Sequence, residues 1–271
     1  MFETHDQLER RVILQQYPLK RIISLVPSQT ELLHDLGLEE EVIGITKFCV
    51  YPQSWFKTKE RVGGTKTVNI QKIKELKPDL ILANKEENVK EQIEALETVA
   101  PVWVSDINNV EDALQMIERV GELTDKSEKS KVIIQNIQYA FSKLQTVNYK
   151  LQTVYLIWQH PYMTVGGDTF INDMLNKCGL QNMFENEKRY PHITTEQLVA
   201  LQPQLVLLSS EPFPFKQKHA DEIKALLPKT KVLLVDGEMF SWYGSRMLYT
   251  TQYFKELMNK IFEPPAKDFA V

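Results

Sequence analysis

One structural phrase is written twice in this chain. Asn69 to Ala83 read NIQKIKELKPDLILA, and Thr195 to Ser209 read TEQLVALQPQLVLLS. Each is a short amphipathic helix, stopped at a proline, followed by an apolar run that suits a buried strand. Pro78 and Pro203 stand 125 positions apart in the 271-residue sequence. A helix–Pro–strand unit duplicated at that distance predicts two similar α/β lobes, with a cleft between them where a small molecule binds.

Strands are expected at Arg21–Val26, Val42–Thr46, Asp79–Ala83 and Val102–Val104, and again at Thr153–Trp158, Leu205–Ser209 and Lys231–Val235. Helical patterns alternate with them, which implies βαβ units and mainly parallel sheets. Pro27 follows the first strand, with Ser28 and Glu31 placed as a capping box and Gly37 as the stop. Asn109 and the pair Thr194/Gln197 are placed to cap two more helices. From Lys126 to about Thr146 no Gly or Pro interrupts the helical spacing of Val132, Ile133, Ile137, Ala140, Phe141 and Leu144. The expected organisation is an N-terminal α/β lobe over 1–124, a rigid connecting helix over 125–148 and a C-terminal α/β lobe over 149–271.

Composition removes several function classes. A formal net charge of −4 lacks the broad basic face that nucleic-acid binding needs. No apolar stretch approaches the length of a bilayer span. The two cysteines, Cys49 and Cys178, form no CxxC pair and read as buried free thiols. The first residues carry no export signal, so the chain as written is expected in the cytoplasm, and at the periplasm or cell surface if its start is truncated. Gly63-Gly64 and Gly166-Gly167 lack the spacing of phosphate- or dinucleotide-binding loops. Ser28 and Ser210 lack a nucleophile-elbow context. His160 and His192 lack metal-ligand spacing, so no protein-bound metal and no resident cofactor is expected.

What remains is a set of strand-end loops, where doubly wound sheets meet their ligands. Lys47, Lys66 and Lys85 fall in consecutive loops of the first lobe, as either a basic floor for an anionic ligand or three solvated side chains. Arg246 lies near the positive end of the last helix, and a ligand carboxylate or phosphate, or Glu238, is needed to answer its charge. The loop before it, Met239 to Gly244, is dense in aromatics, including Phe240 and Trp242.

RIISLVPSQTELLHDLG, VIGITKFCVYP, RVGG and NIQKIKELKPDLILA, followed by VYLIWQ and ITTEQLVALQPQLVLLS, resemble the cobalamin-binding protein family of ABC importers. That family sits within the class III binding proteins for metal chelates. The resemblance runs from about residue 6 to 262 and makes DQLERRVIL a short N-terminal hairpin. It implies two lobes on one long helix, ligand held in the cleft, and no catalysis. The expected ligand is a small, anionic or metal-chelate molecule, with corrinoids and iron chelates in scope. The expected partner is an ABC permease, and the chain is expected to be a monomer. Phe48, Trp158 and Tyr190 keep aromatics where the family's pocket has them, whereas Thr65 and Asn84 are polar there. Glu196 matches one permease-docking carboxylate, and Gln71 stands at the position of the other. Ser28, Lys47, Lys66, Lys85, His160, Phe240, Trp242 and Arg246 complete the ligand-binding candidates. Two other readings stand beside this one: a cytoplasmic sensor or carrier on the same scaffold, and an enzyme using Glu86, His160 or His192 as acid or base.

Overall fold

The computed structural model describes residues 2–144 and 150–262. The chain divides into two compact units, Met1–Gln138 with Trp242–Leu248, and Tyr139–Ser241 with Tyr249–Val271. The short return of Trp242–Leu248 to the N-terminal unit lies outside a simple cut of the chain at 124 and 149.

The first unit opens on an antiparallel hairpin, β1 (Phe2–His5) and β2 (Arg11–Leu14), which matches the hairpin implied by family resemblance. Asp6 closes its turn, its Oδ1 accepting from the backbone of Leu8 and Arg10 at 2.9 Å each. Next come β3 (Ile22–Ser24), α1 (Pro27–Asp35), β4 (Val42–Ile45), α2 (Gln53–Thr58), β5 (Glu60–Arg61), α3 (Ile70–Leu76), β6 (Leu80–Asn84), α4 (Lys90–Glu97), β7 (Val102–Ser105) and α5 (Val110–Leu123). The order β5-β4-β3-β6-β7 is parallel throughout. Ile23, Ile81, Ala83, Val102 and Val104 face Ile73, Ile93 and Leu96 across one side of this sheet. Helix α6 (Ser127–Ser142) then runs unbroken for 16 residues, about 24 Å at 1.5 Å per residue. The helix is shorter than the expected 125–148: Asp125, Lys126, Lys143 and Leu144 lie outside it, and 145–148 lie outside the described residues.

The second unit holds β8 (Leu151–Leu156), β9 (Tyr162–Met163), α7 (Phe170–Lys177), β10 (Leu180–Asn182), β11 (His192–Ile193), α8 (Thr195–Leu201), β12 (Leu205–Ser209), α9 (Gln217–Leu226), β13 (Lys231–Val235), α10 (Glu238–Ser241) and α11 (Met247–Phe262). Its main sheet, β10-β8-β12-β13, is also parallel, and β9 pairs with β11 as a separate antiparallel ribbon. Val206 and Leu208 alternate onto the face covered by Leu198 and Ile223.

The duplicated phrase is structural in every part. Helices α3 and α8 both end on a left-handed residue, Lys77 at φ 48° and Gln202 at φ 44°. A proline then bars further helix, and a five-residue buried strand follows. Asn109 caps α5, and Thr194 and Gln197 form a reciprocal capping box on α8, as the sequence predicts. Ser28 is not a cap. Pro27 occupies the first helical position of α1, where a missing N–H costs nothing, so the helix starts ahead of Ser28 and buries it. Both cysteines are free and buried, and burial pushes the Cys178 thiol up to about 12.

Candidate functional site

In the N-terminal unit, the sheet order places a topological switch point beside β3, between the loops that follow β3 and β6. That crevice is filled by the protein itself. Gln29 donates to Ser105 Oγ at 2.6 Å. Asn84, 2% exposed, is fully satisfied: its amide nitrogen donates to Ser105 Oγ and Ser105 O, and its oxygen accepts from the backbone of Glu86 and Glu87. Asn84 therefore shapes the loop after β6 and has no bonding capacity left for a ligand. Thr65 is buried under the same loop, with its carbonyl accepting from Asn88.

The solvent-facing group lies one strand over, after β4. Phe48 is 50% exposed, and the Lys47 ammonium lies 5.1 Å from its ring centre. The backbone of Lys47 donates to Gly63 at 2.8 Å, which ties this loop to the one after β5. Gly64 packs beneath both side chains. A Cβ there would lie 3.2 Å from Phe48 Cε2 and 3.3 Å from Lys47 Cε, so any larger residue would push these side chains by a few tenths of an ångström. Below, Thr30 and Thr46 hydroxyls contact the buried Cys49 sulfur at 3.1 and 3.2 Å and fix the turn from inside.

The other expected cations are already engaged. Lys85 is paired with Asp106 at 2.6 Å. Lys66 donates to the carbonyl of Glu86. Arg246 is answered by a carboxylate from the first helix. It makes a two-pronged ion pair with Glu31, at 2.8 and 2.7 Å, and its guanidinium lies 4.4 Å from the Tyr51 ring and 4.7 Å from that of Trp242. Trp242 is itself 7% exposed and meets Tyr51 edge-on. Arg246 and Trp242 are therefore internal parts of the N-terminal unit. Burial raises the Glu31 carboxyl above the ordinary glutamate range, while the Arg246 hydrogen bonds and charge pull it down.

A polar depression of about 750 Å³ also opens in this unit, lined by Glu3, Asp6, Glu9, Asp106, Asp112 and Glu118 among others. Arg11, Arg10 and Lys85 already answer three of those carboxylates. It offers a flat organic ligand almost no apolar wall.

In the C-terminal unit, Trp158 follows β8 and is 40% exposed, with Phe213 set edge-on at 5.6 Å. Phe213 continues into Phe215 and His219. His160 is exposed in the same loop, and Tyr190 is half-buried ahead of β11. Phe240 is wholly buried against Tyr155 and Phe254, so this expected ligand contact is a core residue. Among the described residues no three His, Cys, Asp or Glu side chains converge as metal ligands.

On the helices of the repeated unit, Glu196 and Gln71 are both exposed. The Thr194 hydroxyl holds the Glu196 carboxyl below its ordinary range. Gln71 donates to Glu75 at 2.8 Å. Glu31 and Tyr51 are not among the side chains expected at the strand ends. Tyr51 sits three residues beyond a loop that sequence reading closes at Phe48, and Glu31 reads as a helix cap until Arg246, 215 positions away, is placed beside it.

The family model for periplasmic binding proteins matches residues 22–226. A vitamin B12-binding protein of Vibrio vulnificus is 29% identical over 206 residues, covering 73% of this chain and 74% of the relative. The crystal structure of the periplasmic vitamin B12 binding protein BtuF of Vibrio cholerae superposes with a TM-score of 0.78 at 23% identity, over 91% of this chain and 99% of that one. The periplasmic heme-binding protein RhuT of Roseiflexus superposes with a TM-score of 0.76 at 17% identity, over 90% and 98%. Among the described residues no helix is long and apolar enough to cross a membrane. With three quarters of its length inside the family model, the chain belongs to the periplasmic binding protein family.

Proposed function

We propose that this chain is the solute-binding component of an ABC importer and captures a corrinoid, a porphyrin or another flat metal chelate without transforming it. The observation that carries this reading is the pair of large aromatics left in solvent at sheet ends. Phe48 after β4 and Trp158 after β8 are 50% and 40% exposed, with Tyr51 at 37% beyond Phe48 and Phe213 half-buried beside Trp158. An exposed ring on an anchored loop offers stacking area with little ordering cost. The family relatives named above for vitamin B12 and heme support a ligand of this type.

Titration of the purified chain with cyanocobalamin and with hemin, followed by tryptophan fluorescence and calorimetry, tests the reading. Saturable binding of at least one is expected, and Phe48→Ala and Trp158→Ala should each weaken it about tenfold or more, roughly 1.4 kcal/mol. Unchanged affinity in both variants would remove these rings from the site.

Docking to a permease is assigned to the exposed helix starts of the repeat. Glu196 carries the charge on α8, and Gln71 leaves its counterpart on α3 neutral. Glu196→Gln should therefore weaken capture by a cobalamin-type permease in nanodiscs, and Gln71→Glu should strengthen it. If neither substitution changes capture, the docking assignment fails and the carrier reading without a transporter gains.

A further inference from the structure

Of the four cations expected to receive an anionic ligand, the structure leaves one poised for it. Arg246 is closed off by Glu31 and two rings, Lys85 is neutralised by Asp106, and Lys66 is held on a carbonyl. Lys47 has no carboxylate within ion-pair distance among the described residues, and its ammonium lies 5.1 Å from the ring centre of the half-exposed Phe48. The loop that carries both is held from three sides: by the Gly63 carbonyl, by Gly64 packed beneath, and by the threonine–cysteine cluster below. A flat apolar body lying on Phe48 would bring a peripheral anionic group to Lys47 without rebuilding the loop.

Resting on the solute-binding reading above, we infer that Lys47 and Phe48 form one recognition unit for a flat chelate carrying a peripheral carboxylate or phosphate. Phe48 takes the body of the ligand and Lys47 its anion. Partial desolvation by the ligand strengthens the ion pair over that of a solvated lysine. Affinity then contains a salt-sensitive part from Lys47 and a salt-insensitive part from Phe48.

Two ligand pairs separate the parts. Protoporphyrin IX has two carboxylates, which its dimethyl ester lacks. Cyanocobalamin has a phosphodiester, which dicyanocobinamide lacks. Wild-type protein should bind the carboxylate- or phosphate-bearing member of one pair about five- to tenfold more tightly at low salt, with the preference shrinking at 0.5 M salt, where the screening length is roughly threefold shorter than at 0.05 M. Lys47→Met should erase that preference and leave the uncharged member's affinity unchanged, whereas Phe48→Ala should weaken both members. A preference in the porphyrin pair assigns a carboxylate, and one in the corrin pair a phosphate. Equal binding within both pairs, or equal weakening of both members by Lys47→Met, overturns the inference while the solute-binding reading stands. If wild-type protein binds none of the four ligands, nor hemin, the solute-binding reading fails and this inference falls with it.

Discussion

Replacing Arg246 by Met is expected to destabilise the N-terminal unit by about 3–5 kcal/mol at pH 8, the usual cost of leaving one partner of a buried ion pair alone. Both side chains are nearly out of solvent, at 10% and 14% exposure, so screening does little to soften the loss. Two rings lose their cation as well. The loss should depend on pH. Burial already raises the Glu31 carboxyl above the ordinary glutamate value of 4.5, and removing Arg246 removes the main opposing pull. A carboxyl with a raised folded-state pKa costs stability only where it must ionise. The penalty is absent below the unfolded pKa and grows as pH rises through the folded one. The deficit of Arg246→Met relative to wild type should therefore shrink from pH 8 to pH 5. Denaturant melts at the two pH values measure it. A deficit below about 1 kcal/mol, or one that does not fall on acidification, would show that the pair does not hold Trp242–Leu248 in the N-terminal unit.

Phe240→Ala is expected to cost about 3–5 kcal/mol, the range for emptying a large aromatic site in a core. Phe240 has no exposed surface and touches Tyr155, Tyr253 and Phe254, so the cavity has packed aromatic walls with little room to collapse. Ligand affinity measured well below the melting point should be unchanged. A variant that keeps its stability and loses its ligand would place Phe240 in the site and contradict the core assignment.

These two residues also show where sequence reading reaches its limit. Period and punctuation are local, and they carry most of the architecture: Pro78 and Pro203 mark the repeat, and β12 and β13 occupy the spans Leu205–Ser209 and Lys231–Val235 that their apolar runs predict. The strand-end loops are legible for the same reason. What each loop side chain does is decided by partners distant in sequence. Arg246 looks like an open cation until Glu31 is brought to it from 215 positions away. Asn84 looks like a pocket residue until Ser105 and the next turn take all its hydrogen bonds. Phe240 sits in an aromatic-rich stretch whose neighbour Trp242 packs in one unit while Phe240 packs in the other. Short strands such as β5 and β9, of two residues each, carry too little pattern to be found without their pairing partners.

As the proposed solute-binding component, this chain would hold a flat chelate and release it unchanged. Native mass spectrometry of the full chain with cyanocobalamin or hemin, followed by recovery of the ligand, tests it most directly. A complex of one ligand per chain is expected, with a recovered ligand of unaltered mass. No complex with either ligand, or a ligand recovered chemically converted, would contradict it.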